Sequence, residues 1–109
     1  MSVQHKDLAD GRWYQLSFAE QLGHIGSEVS RARKWSNKDE NISKNALVRA
    51  LELMDLTLSD KRWRKRLKEL ARAREVLADL FTGGKEYKST FEDSDKYFFQ
   101  FAIAARRNK

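Results

Sequence analysis

The stretch Ser59–Gly84 constrains this chain more than any other. It carries helix-capping residues at one end, a glycine pair at the other and an apolar stripe between them. Trp63, Leu67, Leu70, Leu77 and Phe81 recur at the three- and four-residue spacing that gathers side chains on one side of an α-helix. Lys61, Lys65, Lys68 and Arg72 fall on the opposite side. Ser59 and Asp60 suit the amino-terminal cap, and Gly83-Gly84 supplies the left-handed residue that closes a helix. One continuous helix is therefore predicted here. The stretch holds eight Lys/Arg against four Asp/Glu, a net +4 out of the chain's +6.

A chain of 109 residues is long enough for one core and too short for two. It has no proline and only five glycines, a composition that suits long helices and short connections. With 40% hydrophobic residues it can bury enough apolar surface to fold despite its charge. Cysteine is absent, which excludes disulfides, thiolate catalysis and thiolate zinc sites. The amino terminus has no apolar run of signal-peptide type, and no stretch is apolar enough to span a bilayer. A soluble cytoplasmic protein is the expectation, with no membrane partner. The pI near 9.7 points to polyanions as partners.

Residues 1–11 carry no periodic signal and are predicted to form a mobile arm, with the domain spanning residues 12–109. A first helix is predicted from Trp13 or Leu16 to Trp35, with Phe18, Leu22, Ile25, Val29 and Ala32 as its seam. Beside that seam runs a row of small residues, Ala19, Gly23, Gly26 and Ser30. Two glycines inside a helix each cost about 1 kcal/mol relative to alanine, so this row is predicted to be the tightest helix–helix contact. After a polar turn, a second helix is predicted over Glu40–Leu58, with Leu47, Ala50, Leu51, Met54 and Leu58 facing inward. A last helix is predicted to start at a capping box formed by Ser89 and Glu92 and to run to Arg107. Four amphipathic helices with short connections predict an all-α, up-down-up-down four-helix bundle.

Several groups of residues are candidates for function. Arg74 falls inside the apolar arc of the third helix, where a guanidinium needs a carboxylate. Asp55 and Glu28 are its candidate partners in a buried ion pair that fixes helix register; an anion site between helices is the alternative. Lys61, Arg62, Lys65, Arg66, Lys68 and Arg72 are candidate phosphate contacts, with Arg31 and Lys34, or Arg106 and Arg107, extending the patch and Trp35 stacking on a base. An ordinary solvated face neutralised by Glu69, Glu75 and Asp79 is the competing reading. Phe99 and Ile103, with Val48 and Leu56, lie off the seams and are candidates for an interface in a homo-oligomer.

Glu20, His24 and Glu28 share a helix face, but no Glu-x-x-His occurs, so no metal or other cofactor is expected. Neither histidine follows an arginine at the Arg-x4-His spacing of helical RNases. No phosphate-binding loop and no nucleophile elbow is present. The chain is not expected to be an enzyme.

In size, basicity and four-helix layout, and in Gly23-His24-Ile25-Gly26-Ser27-Glu28 followed by Leu51-Glu52-Leu53-Met54, the chain resembles a group of small bacterial four-helix-bundle proteins. These are the proteins encoded by intervening sequences in 23S ribosomal RNA genes and the accessory proteins of diversity-generating retroelements. The resemblance implies a cyclic oligomer with a basic surface that binds RNA or a reverse transcriptase, and it carries no functional residue over by motif. The expected function is a non-enzymatic accessory protein that binds nucleic acid, RNA rather than DNA. The alternative is a protein-interaction adaptor working through Phe99/Ile103 and Val48/Leu56.

Overall fold

A computed structural model of the chain describes residues 11–83 and 90–107. The predicted arm therefore lies outside the described residues except for Gly11, and so does the predicted cap at Ser89. A 3-10 turn, Arg12–Gln15, precedes helix α1, Phe18–Trp35. Helix α2 spans Glu40–Leu58, a second 3-10 segment spans Lys61–Arg66, and α3 and α4 cover Leu67–Phe81 and Phe91–Arg107. The described residues form an all-α helical bundle with no strand. No described helix is long and apolar enough to cross a membrane.

Local chemistry sets the helix ends. Ser17 and Glu20 form a reciprocal capping box at the start of α1, each side chain accepting from the other's backbone N–H. The Asp39 carboxylate accepts from the N–H groups of Asn41 and Ile42 to open α2. Thr90 Oγ1 accepts from the N–H of Asp93 at 3.1 Å and opens α4. Gly83, with φ of 101°, closes α3 in the left-handed region.

Helix α1 is the centre of the domain, packing extensively on both α2 and α4, whereas α3 rests on α2 and touches α4 only lightly. The core accordingly runs along α1 through Leu22, Ile25, Val29 and Ala32 and along α2 through Ala46, Leu47, Ala50, Leu53 and Met54. Helix α3 adds Leu70, Leu77 and Leu80, and α4 adds Phe98. Ser43 of α2 donates to the Ala32 carbonyl at 2.7 Å, and Arg49 of α2 meets Glu28 at 4.0 Å, so α1 and α2 run in opposite senses. Gly23 faces Ala102, Gly26 faces Phe98 and Ser30 bonds Asp95, which sets α4 against α1 in the opposite sense as well.

The small-residue row is where α4 comes closest to α1. A Cβ at Gly26 would stand 2.7 Å from the Cβ of Phe98. That atom is fixed to the backbone, so no rotamer change relieves the contact. A Cβ at Gly23 would stand 3.4 Å from the Cα of Ala102, close to ordinary contact.

Two features depart from the sequence expectation. The predicted third helix is broken: Trp63 has non-helical angles (φ −102°, ψ 22°), and the α-helix proper starts only at Leu67. Arg74 is also not buried. Its Nε donates to Asp55 Oδ1 at 2.5 Å and its Nη2 to Oδ2 at 3.3 Å, yet the two side chains are 37% and 57% exposed. Because α3 leans mainly on α2, the flank carrying Arg74 opens to solvent. Glu28 lies beside Arg49 instead.

Gly26→Ala is expected to destabilise the domain by about 1–3 kcal/mol through overpacking, outweighing about 1 kcal/mol gained in helix propensity. Gly23→Ala is expected to be close to neutral. Urea unfolding followed by circular dichroism separates the two; equal losses would contradict the packing described. The same assay on Arg74→Ala should show a loss under about 1 kcal/mol, the range of solvent-exposed pairs.

Candidate nucleic-acid interface

The break in the predicted third helix is built from Asp60 outward. Its carboxylate is buried and accepts from the Arg62 backbone N–H at 3.0 Å, from Arg62 Nη2 at 2.7 Å and from Gln21 Nε2 at 3.0 Å. Gln21, also buried, donates from Nε2 to the Trp13 carbonyl at 2.9 Å and accepts from Trp63 Nε1 at 2.9 Å. Trp13 is wholly buried, its Nε1 donating to Thr57 Oγ1 at 3.0 Å. With a kink at Trp63, Asp60 and Trp63 both meet Gln21, and Arg66 meets Phe18.

Arginine planes cover the outside of this joint. The Arg62 guanidinium lies 4.4 Å from the Trp63 ring centre and donates to the Leu16 carbonyl at 2.7 Å. Trp63 meets the Phe18 ring edge-on at 5.1 Å, and the Arg66 guanidinium sits 4.1 Å from the Phe18 ring centre. Such cation–π contacts contribute about 0.5–1 kcal/mol each where exposed. Arg66 also pairs with Glu69 at 3.3 Å, and Glu69 accepts from the Tyr97 hydroxyl of α4 at 2.6 Å. Burial, reinforced by Glu69, raises the Tyr97 pKa well above its ordinary value.

The six candidate phosphate contacts therefore separate into different roles. Arg62 and Arg66 are exposed at their edges but committed to the joint. Lys61, Lys65 and Lys68 are exposed and make no ion pair among the described residues; Arg72 is exposed on α3. Arg64, exposed and next to Lys65, joins the lysines and was missed although α-helical spacing already places it nearer their row than Arg62 or Arg66. The kink at Trp63 separates Lys61 from Lys65, so the cations do not follow one continuous helical stripe.

The other proposed extensions divide by position. Phe18 at the start of α1 touches Phe101 of α4, so the end of α4 with Arg106 and Arg107 lies at the same end of the domain as the basic turn. Arg31, Lys34 and Trp35 lie at the far end of α1, about 20 Å away at 1.5 Å per residue. They do not extend the patch, and Trp35 is half-buried with Lys38 5.9 Å from its ring centre. Of the four interface candidates, Leu56 packs against the core and Val48 is half-buried, whereas Phe99 and Ile103 are 59% and 37% exposed. His24 lies against the Trp13 ring at 5.9 Å. No cluster of three or more potential metal ligands occurs among the described residues.

Comparison with known protein families, with characterised proteins and with solved structures finds no match to the chain.

The Arg62 hydrogen bonds, aided by Gln21 and opposed by burial, lower the Asp60 pKa from 3.8 to about 2. A carboxyl with a depressed folded pKa stabilises the fold above its unfolded pKa and loses that contribution as pH falls through the folded one. Between about pH 4 and pH 2 the domain should therefore lose about 2 kcal/mol through this group. Urea unfolding from pH 6 to pH 2 should show a shallower acid loss for Asp60→Asn than for the wild type. Parallel curves would remove Asp60 as the source.

Proposed function

We propose that this chain is a non-enzymatic basic accessory protein of the cytoplasm that binds nucleic acid, RNA in preference to DNA. The observation that supports this reading is the division of labour in the Lys61–Lys68 turn. Arg62 and Arg66 hold the turn through Asp60, the Leu16 carbonyl, Trp63 and Phe18, while Lys61, Arg64, Lys65 and Lys68 project from it. A turn held by its neighbours presents cations with little ordering left to do on binding, and lysines at such a site attract phosphates without choosing a sequence. The preference for RNA follows from the resemblance to the ribosomal intervening-sequence proteins and the retroelement accessory proteins, which also makes a reverse transcriptase a candidate partner.

Binding of single-stranded RNA should weaken with salt, with a log–log slope of at least about −2 if the three lysines each displace a counterion. The triple substitution Lys61→Ala, Lys65→Ala, Lys68→Ala should reduce that slope by about 2 and lower low-salt affinity by about tenfold or more. Duplex DNA of equal length serves as the comparison. Absence of binding at low salt, or binding indifferent to salt, would overturn the proposal.

A further inference from the structure

The outer face of α4 has a pattern that the RNA reading leaves unused. Glu92, Lys96, Phe99, Ile103 and Arg106 follow one another at steps of four, three, four and three, which is the spacing of a helix-packing seam. All five are exposed. Phe98 and the neighbours that face α1 already occupy the opposite side of the helix. Phe99, 59% exposed, is the most exposed of the large hydrophobic residues among those described.

The strip is self-complementary when reversed. Phe99 lies midway between an acid, Glu92, and a base, Arg106. An antiparallel pairing of two such helices about a two-fold axis at Phe99 sets Phe99 on its own copy and Glu92 opposite Arg106 at both ends. The same pairing lays the Lys96 stem beside Ile103. A two-fold interface requires a patch of this kind, complementary to itself. Among the described residues Glu92 forms an ion pair with Lys96, at 3.5 Å on the same helix, and both side chains are exposed. Arg106 makes no ion pair among the described residues.

We propose that this strip of α4 is a docking surface for a second copy of the chain, forming an antiparallel two-fold dimer centred on Phe99. Helix α4 has 17 residues and is about 25 Å long. One helix pair of that length buries an area at the small end of specific interfaces, so the expected dissociation constant is micromolar. The inference is independent of nucleic-acid binding and is tested without RNA.

The experiment is sedimentation equilibrium of the full chain from about 1 to 500 μM, with circular dichroism to confirm folding of each variant. The wild type should dimerise, and Phe99→Asp should weaken dimerisation at least tenfold. Glu92→Arg and Arg106→Glu should each weaken it several-fold, because each places like charges opposite one another at both ends. Mixing these two single variants in equal amounts should restore the dimer, since every Arg then faces a Glu. Acid at the start of a helix and base at its end also complement the helix dipole. That effect lies within one chain and is not recovered by mixing. A monomeric wild type, a dimer unaffected by Phe99→Asp, or single charge variants that fail to complement would each overturn the proposal.

Discussion

The side-chain amide of Gln21 lies buried in α1 with hydrogen bonds to the Trp13 carbonyl, the Asp60 carboxylate and the Trp63 indole. These partners come from the first 3-10 turn, from the connection after α2 and from the second 3-10 segment. A buried amide must satisfy both its nitrogen and its oxygen or incur a desolvation penalty of about 1–3 kcal/mol. Its partners are in turn held by others: Asp60 by Arg62, and the Trp13 ring by Thr57. The non-helical Trp63 follows from this requirement, because the indole has to turn inward to reach Gln21. The path of the basic turn is thus set by an uncharged residue in the core.

Alongside this polar joint, the domain depends on the close approach of α4 to α1. Helix α4 buries one large side chain fully, Phe98, against the backbone of Gly26. With α3 touching it only lightly, α4 has α1 as its principal support and a wide outer face left open. The same unevenness explains why Leu67 and Phe81 of α3 stay partly in solvent although both lie on its apolar arc. It also explains the half-exposed position of Arg74 and Asp55. A helix with one main neighbour covers only part of its apolar arc.

The charges divide by geometry rather than by sign. Arg62 and Arg66 use planar guanidinium groups to cover Trp63 and Phe18 and to reach carboxylate or carbonyl oxygens, a role that a lysine ammonium cannot reproduce. Lys61, Lys65 and Lys68 have no such engagement among the described residues. In sequence these residues are interleaved within eight positions, and composition treats them alike. What separates them is tertiary: Leu16 and Phe18, more than forty residues earlier, lie against Arg62 and Arg66.

Helix number, the limits of α2 and the small-residue row on α1 were legible because each rests on local rules: periodicity, capping and the cost of glycine in a helix. The broken third helix was not, since its apolar spacing is helical and the break is imposed by Gln21, a contact across 39 residues to Asp60. The burial of Arg74 was misjudged for a related reason. Periodicity states which way a side chain points from its own helix, but not whether a neighbour covers that direction. By itself, then, the sequence determined an all-α chain in which α1 can approach another helix closely and in which positive charge is concentrated in residues 61–74. The tertiary structure decided which cations are structural, which apolar residues stay open and where the third helix begins. Those properties depend on the unequal packing of α3 and α4 around α1, which no local pattern encodes.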